Sequence, residues 1–554
     1  MLRQSGQLQA HARASWAQSF RNRVFTSAPT RQHHSPSSVS PRTRPSHVSA
    51  AQQQQQQQQQ RVLPWLSSAA GRSSSLAHHR HYHCHKKHMV SPATLSQHHH
   101  HQSVSRFHAS ARRQELIEDP RYSASKIAER ASYPVLTAKE SARSKEMPTR
   151  CKMLVRDFVD DSLYHPSYGY FSKQAVIFSP ETDFEFEKIR DNLQFLDLIA
   201  EKYREVEDEM DVRDEVARQV WHTPTELFKP WYGYAIAKYI VIEYKLNDFP
   251  NKDLIIYEMG AGNGTLMMNI LDYIQQFEPA VYERTQYRII EISKKLAQRQ
   301  GERQEVRDIR RRHQCVEVIH KSIFDWDEPV TDHCFFVAME VLDNFSHDLI
   351  RYDAVTEEPR QGLVAIDEEG DYTEIYTPVS DPVIQRYLNL RRQTGYRSPV
   401  LGRRFLRQLR NKLPFAPNMT GPEFIPTKML MFLETLKNYF PRHRLIVSDF
   451  YTLPEAMEGT DAPVVQTRYS GTMVPCSTYM VMPGMFDIFF PTNFELLRDM
   501  YQLVCRPAAG MDKSVKVQTQ REFLERYAAL DKTRTYSGEN PMLTYYENNK
   551  MFLS

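Results

Sequence analysis

The first 114 residues contain neither aspartate nor glutamate. Over the same stretch the chain carries 15 lysines and arginines, 15 of its 22 histidines, and a glutamine run from Gln52 to Gln60. So polar a segment cannot bury enough apolar surface to offset its ordering entropy, and disorder is expected there. Absence of acid alongside arginine and serine is also the composition of a mitochondrial presequence, whose positive amphipathic helix is drawn toward the negative side of the inner membrane. In MLRQSGQLQAHARASWAQSFRNRVF, Leu2, Ala12, Trp16, Phe20 and Val24 can share one helical face while Arg13, Arg21 and Arg23 supply charge. A transit peptide and a mitochondrial matrix location are therefore expected, with a disordered basic tail as the alternative. The histidine tract HHRHYHCHKKH has no folded frame to fix ligand geometry, so no metal site is expected in it.

Further absences narrow the class. The six cysteines, at 84, 151, 315, 334, 476 and 505, form no C-x-x-C pair. That argues for reduced thiols and against a disulfide framework or a zinc site. No uncharged apolar run reaches the ~18 residues needed to cross a bilayer, so no membrane span is expected. The whole chain has 71 basic and 67 acidic residues; without the first 114 residues, 56 basic face 67 acidic, a net of −11. An acidic remainder gives no sign of a general nucleic-acid surface.

What is present divides the chain further. Residues 115–150 are polar and charged, a linker or adaptor arm. Residues 151–249 read as a helical N-terminal part: 153–171 has helical spacing at Leu154, Phe158 and Leu163, and 181–219 reads as an exposed, strongly acidic amphipathic helix. That helix is either a solvated insertion or a docking surface for a basic partner. From 250 to 510, short apolar runs at 253–258, 286–292, 315–320, 334–340 and 444–450 have the character of strands buried in a parallel sheet. Helical stretches at 265–277 and 293–312 follow the first two. The order predicts a doubly wound α/β sheet that binds its ligand at the carboxyl ends of its strands. The basic stretch 391–412 reads as a solvated amphipathic helix or a contact for an acidic partner, and 511–554 as a C-terminal extension.

The first strand runs into Glu258-Met-Gly260-Ala-Gly262-Asn-Gly264-Thr. A mononucleotide P-loop would need a lysine before the threonine, and none stands there. A dinucleotide turn would read G-x-G-x-x-G and cradle a pyrophosphate, whereas here Glu258 would repel phosphate. S-adenosylmethionine suits the turn, because it carries a sulfonium, an ammonium and ribose hydroxyls but no phosphate. Gly260, Gly262 and Gly264 would let the backbone lie close beneath it, and Glu258 would accept hydrogen bonds from its polar groups. Glu291, ending the next strand, is placed for the ribose hydroxyls. Asp325 could accept from the adenine amino group, with Phe324 or Trp326 over the ring. Each feature also has an ordinary structural role: a tight turn, a helix start, a helix cap.

The succession LIIYEMGAGNGTL, YRIIEISKKL, FFVAMEVLDNFSHD, RLIVSDF and CSTYMVMPGMFDIFFPTNFELL resembles the MidA family of mitochondrial and bacterial methyltransferases. LVRDFVDDSLYHPSYGYF resembles that family's N-terminal helix and Gly-Tyr-Tyr turn, so the likeness covers most of residues 150–505. The resemblance implies a class I, Rossmann-like methyltransferase fold with methyl-donor contacts at Glu258, Gly260, Gly262, Gly264 and Glu291. It marks Glu340 and Asp343 as lining the mouth where a substrate meets the methyl group. It also implies protein arginine methylation that supports assembly of respiratory complex I, with a complex subunit as candidate substrate. The chain departs from the pattern where better-known members have G-P-G-R-G-T and Asn-Glu-Phe-Phe-Asp, and their T-S-P-E segment is present only as HTPTELF at 222–228. A catalytically silent assembly factor and a small-molecule methyltransferase remain alternatives.

Overall fold

The computed structural model describes residues 124–173, 176–180, 182–212, 220–292, 312–402, 417–469, 472–505 and 514–554. The expected presequence, the histidine tract and all but the last residue of the helix expected over 293–312 lie outside them. At the centre is a seven-stranded sheet of β1 (Leu254–Met259), β2 (Thr285–Ile290), β3 (Val316–Ile319), β4 (Cys334–Met339), β5 (His443–Phe450), β6 (Lys516–Thr519) and β7 (Asn549–Leu553). Its spatial order is β3-β2-β1-β4-β5-β7-β6. Strands β3 to β5 of that order pair in parallel, while β7 runs antiparallel to both β5 and β6. This is the class I methyltransferase arrangement.

Burial on both faces explains why the strands read as continuous apolar runs. Side chains alternate across a strand, so Leu254 and Ile256 pack with the helices Trp231–Asn247 and Thr265–Phe277, while Ile255, Tyr257 and Met259 pack with Thr427–Tyr439 and Phe494–Val504. Burying each such side chain contributes about 1.5–3 kcal/mol. The first two strands and the helix at 265–277 lie within two residues of their expected bounds.

Other segments differ from expectation. Residues 115–150 are not a linker throughout. From Ala124 the chain forms a helix to Ser132, and Arg130 from it is buried, paired with Asp367 and donating to Thr373 Oγ1 at 2.6 Å. A single buried ion pair thus docks a segment whose composition looks solvated. In the acidic stretch the helix spans Asn192–Val212, and its first turns are packed: Phe195 sits 5.7 Å from Phe186 and 5.6 Å from Phe228. The helix expected over 153–171 is Val155–Tyr164, preceded by a strand, Cys151–Leu154. In the basic stretch 391–412, residues 403–412 lie outside the described part, and Arg391 is buried against Glu423 at 2.9 Å. The segment after 511, set apart as an extension, supplies β6 and β7. Neither strand stands out in the sequence, because each is short and β6 is partly exposed.

Among the described residues there are three smaller sheets, one of them a two-stranded parallel pair of Val176–Ile177 with Val220–Trp221. Another is five-stranded and antiparallel, built from Cys151–Leu154, Asp348–Tyr352, Pro359–Ile366, Tyr372–Pro378 and Glu423–Ile425. The third joins Val464–Tyr469, Thr472–Cys476 and Asp487–Phe489. Among the described residues no helix is long and apolar enough to cross a membrane.

Candidate active site

The chain leaves β1 toward β2 on one side and β4 toward β5 on the other, so the crevice between β1 and β4 is the point where strand order reverses. Open α/β sheets bind ligands there, at the carboxyl ends. The glycine turn occupies it. Gly260, Gly262 and Gly264 have φ of +74°, +54° and +81°, a left-handed backbone that other residues adopt only at a cost. A Cβ at Gly260 would stand 3.1 Å from Val341 Cγ2, so a side chain there would also have to push the β4 loop back by a few tenths of an ångström. Gly264 is the residue before the helix Thr265–Phe277, whose free N–H groups face the turn.

Glu258, the penultimate residue of β1, is buried and accepts from the Tyr287 hydroxyl at 2.8 Å. Burial, with Glu291 nearby as a second acid, pushes its carboxyl up to about 7. Glu291 directly follows β2, is buried, and its N–H donates to Ile319 O at 3.1 Å. Carboxylates thus close the ends of the two strands on this side of the crevice. A cationic, hydroxyl-bearing ligand complements them, and a phosphate does not.

Asp325 is placed otherwise. Its side chain is 59% exposed and pairs with Lys139 at 3.1 Å, and it ends a short turn capped by Ser322. Phe324 packs edge-on against Phe345, 5.3 Å between ring centres, with Lys428 over its face. Trp326 is buried against Phe440.

On the far side of the crevice a second group of acids gathers. Glu340 follows β4 with φ +53°, its N–H donating to Ser448 O at 2.8 Å. The left-handed turn is what brings the chain round to Asp343. Asp449, near the end of β5, accepts from the N–H groups of Leu342 at 2.8 Å and Asp343 at 3.1 Å through one oxygen, and from Phe450 N–H at 2.8 Å through the other. Asp343 is buried, and its Oδ1 has no hydrogen-bond partner. Desolvation, reinforced by Asp449, holds the Glu340 carboxyl well above the ordinary range; for Asp343 the neighbours Asp449, Asp487 and Glu340 add to desolvation. Burial raises Asp449 to about 7. Among the described residues, none of Glu340, Asp343, Asp449 and Asp487 forms an ion pair with a lysine or arginine.

Three contributors escaped the sequence. Asp449 ends its apolar run just as Glu258 and Glu340 end theirs, a shared signal that could have found it. Glu226, from the HTPTELF segment, is buried and accepts from Asn263 Nδ2 at 3.1 Å, Thr265 Oγ1 at 2.7 Å and Ser179 Oγ at 2.8 Å. It ties the N-terminal part to the glycine turn. Tyr546 has a hydroxyl that donates to His222 O at 3.1 Å and lies in the field of Glu340, although it is remote from both in sequence.

Residues 235–509 match the family described as "Putative S-adenosyl-L-methionine-dependent methyltransferase". The chain is 24% identical over 384 residues to a Schizosaccharomyces pombe protein named "Protein arginine methyltransferase NDUFAF7 homolog, mitochondrial", with 64% of this chain and 76% of that one covered. A Saccharomyces cerevisiae protein of the same name is 22% identical over 347 residues, covering 58% and 78%. A crystal structure of a methyltransferase-like protein from Burkholderia thailandensis, bound to S-adenosyl-homocysteine, is 14% identical and covers 73% of this chain and 87% of its own at a TM-score of 0.46, too distant to bear on the ligand. The glycine turn fits a phosphate-free, positively charged nucleoside on its own geometry, and together with the family match over 235–509 it marks the chain as an S-adenosyl-L-methionine-dependent methyltransferase.

Proposed function

We propose that the protein methylates arginine side chains of mitochondrial proteins. The observation that carries this is the group of acids formed by half-buried Glu340 and buried Asp343, Asp449 and Asp487, which lacks a cationic partner among the described residues. Burying unpaired carboxyl groups is costly, and a guanidinium, with its rigid fork of donors, is the side chain that relieves several at once. The names of the two yeast relatives support the same acceptor.

When bound, S-adenosylmethionine supplies a methyl group on a sulfonium, whose carbon–sulfur electron pair leaves with sulfur. The chain's own residues do the rest. Glu258 and Glu291 would hold the donor's cationic and hydroxyl groups, and Gly260, Gly262 and Gly264 would admit it against the backbone. Glu340 and Asp343 would orient the guanidinium so that one nitrogen faces the methyl in line. Arginine does not lose its proton in water at neutral pH, so a carboxylate must take that proton as the new bond forms. Glu340 is the candidate: the positive charge of the arriving guanidinium favours its carboxylate form, its own proton passing to solvent, and its raised proton affinity then lets it accept the proton released as the new bond forms. The proton then passes to solvent.

Glu340→Gln is expected to keep donor binding, read by calorimetry with S-adenosylmethionine, and to lower turnover by about 10²–10³-fold, the usual scale for a positioned proton acceptor. Unchanged turnover in that variant sinks the clamp. Mitochondrial residence rests on the relatives' names and the acid-free N-terminal segment, and support of complex I assembly rests on the family resemblance. Loss of arginine methylation from mitochondrial proteins when this protein is removed, scored by mass spectrometry, tests the first, and the amount of assembled complex I in the same mitochondria, read on native gels, tests the second.

A further inference from the structure

We propose that Asp487 is a second carboxylate of the acceptor site, binding the cationic acceptor together with Asp343. It stands on the small three-stranded sheet, well away in sequence from the methyltransferase strands, and the inference rests on the arginine reading above.

Backbone hydrogen bonds carry the segment after Asp487 across the carboxyl ends of β4 and β5. Phe490 N–H donates to Asp343 O at 2.7 Å, and Thr492 N–H donates to Phe450 O at 2.8 Å, one residue from Asp449. The Phe490 ring stacks on His347, 4.0 Å between centres, which pins the segment beside the loop that follows Glu340. Residues alternate along the strand, and Ile488 and Phe490 both enter the apolar core beneath the flanking sheet. Asp487 is therefore turned the other way, and its charge acts on Asp343.

Its environment is not that of a structural acid. Asp487 is 0% exposed, and neither side-chain oxygen makes a well-formed hydrogen bond, the N–H of the adjacent Ile488 being a weak, poorly aligned neighbour. Asp343 Oδ1, also buried, makes none. The contrast is with Asp348, which also keeps one bare oxygen but whose other oxygen accepts from Arg156 and Thr427, so that its charge is paired. A buried, unsatisfied polar group in a native fold calls for an explanation. A metal ion is disfavoured, because among the described residues no three ligating side chains have the spacing to hold one. A guanidinium fits, since it brings several donors and a charge to acids that lack both.

The test is a thermal titration of the donor-loaded full chain with N-acetyl-arginine amide, comparing wild type with Asp487→Asn and the smaller Asp487→Ser. Wild type is expected to be stabilised by the probe, and the variants to need about tenfold more of it, the cost of a lost charge-assisted hydrogen bond. Affinity for S-adenosylmethionine should stay within about twofold, a separation that a general loosening of the fold would not produce. Equal probe midpoints in wild type and a folded variant overturn the role of Asp487 while leaving the arginine reading intact. Failure of the probe to stabilise wild type overturns both. If neither variant folds, protection of wild-type Asp487 from carbodiimide by the probe replaces the comparison, and lack of protection overturns the proposal.

Discussion

The two sides of the crevice are built on opposite principles. On the donor side the polar groups have partners: Glu258 has Tyr287, and Glu226 binds Asn263, Thr265 and Ser179. On the side we propose for the acceptor, Asp449 holds the N–H groups of Leu342, Asp343 and Phe450, while Asp343 Oδ1 and the Asp487 carboxyl lack a well-formed hydrogen bond. The donor side is organised before any ligand arrives. The acceptor side holds unmet polarity that a cation would relieve. The difference suits a reaction in which one substrate is constant and the other must be selected by charge.

Asp449→Ala probes this contrast most severely. Three buried N–H groups would lose their acceptor, and unfolding stability measured by denaturant should fall by about 2–5 kcal/mol. A fall under about 0.5 kcal/mol would show that Asp449 is no more structural than its neighbours.

Glu258→Gln sharpens the contrast from the other side. The amide still accepts from Tyr287, but it has no charge for the donor, so the dissociation constant for S-adenosylmethionine should rise about tenfold at pH 8. The wild-type carboxyl sits at about 7 in the folded chain against an ordinary 4.5. A raised acid binds its proton more tightly when folded, so its contribution to stability is whole below about 4.5 and lost as pH climbs to about 7. The melting temperature of the ligand-free wild type, relative to Glu258→Gln, should therefore decline over that interval. Donor affinity should move the opposite way, strengthening through pH 7 in wild type and staying flat in the variant.

Gly264→Ala is the mildest change. Its φ of +81° strains any side chain, but its Cβ would meet nothing nearer than Met267 at 3.6 Å. A loss of about 1 kcal/mol is expected, with a matching weakening of donor binding and little change in the acceptor constant. Should Gly264→Ala disturb the acceptor instead, the two sides are not separable.

Much of the donor side was legible because its signals are local. The run from Leu254 to Thr265 holds strand, acid, glycine turn and helix start within a dozen consecutive residues, and each obeys a short-range rule. Asp325 shows the limit of such reasoning: an acid near a strand end was a fair candidate for the base, yet its side chain faces solvent and Lys139. Nothing local distinguishes an acid that turns inward from one that turns out. Glu226 and Tyr546 reach the site from about 30 residues before Glu258 and nearly 300 after it, and no periodicity reports such encounters.

By itself the sequence determined the sheet, the glycine turn and the preference for a phosphate-free cationic nucleoside, since alternation, backbone freedom and charge are properties of neighbours along the chain. Only the tertiary structure decided that Asp343, Asp449 and Asp487 are buried within one another's electrostatic reach and that the last forty residues complete the sheet. Burial and the absence of a partner are relations between segments that meet only when the chain is folded.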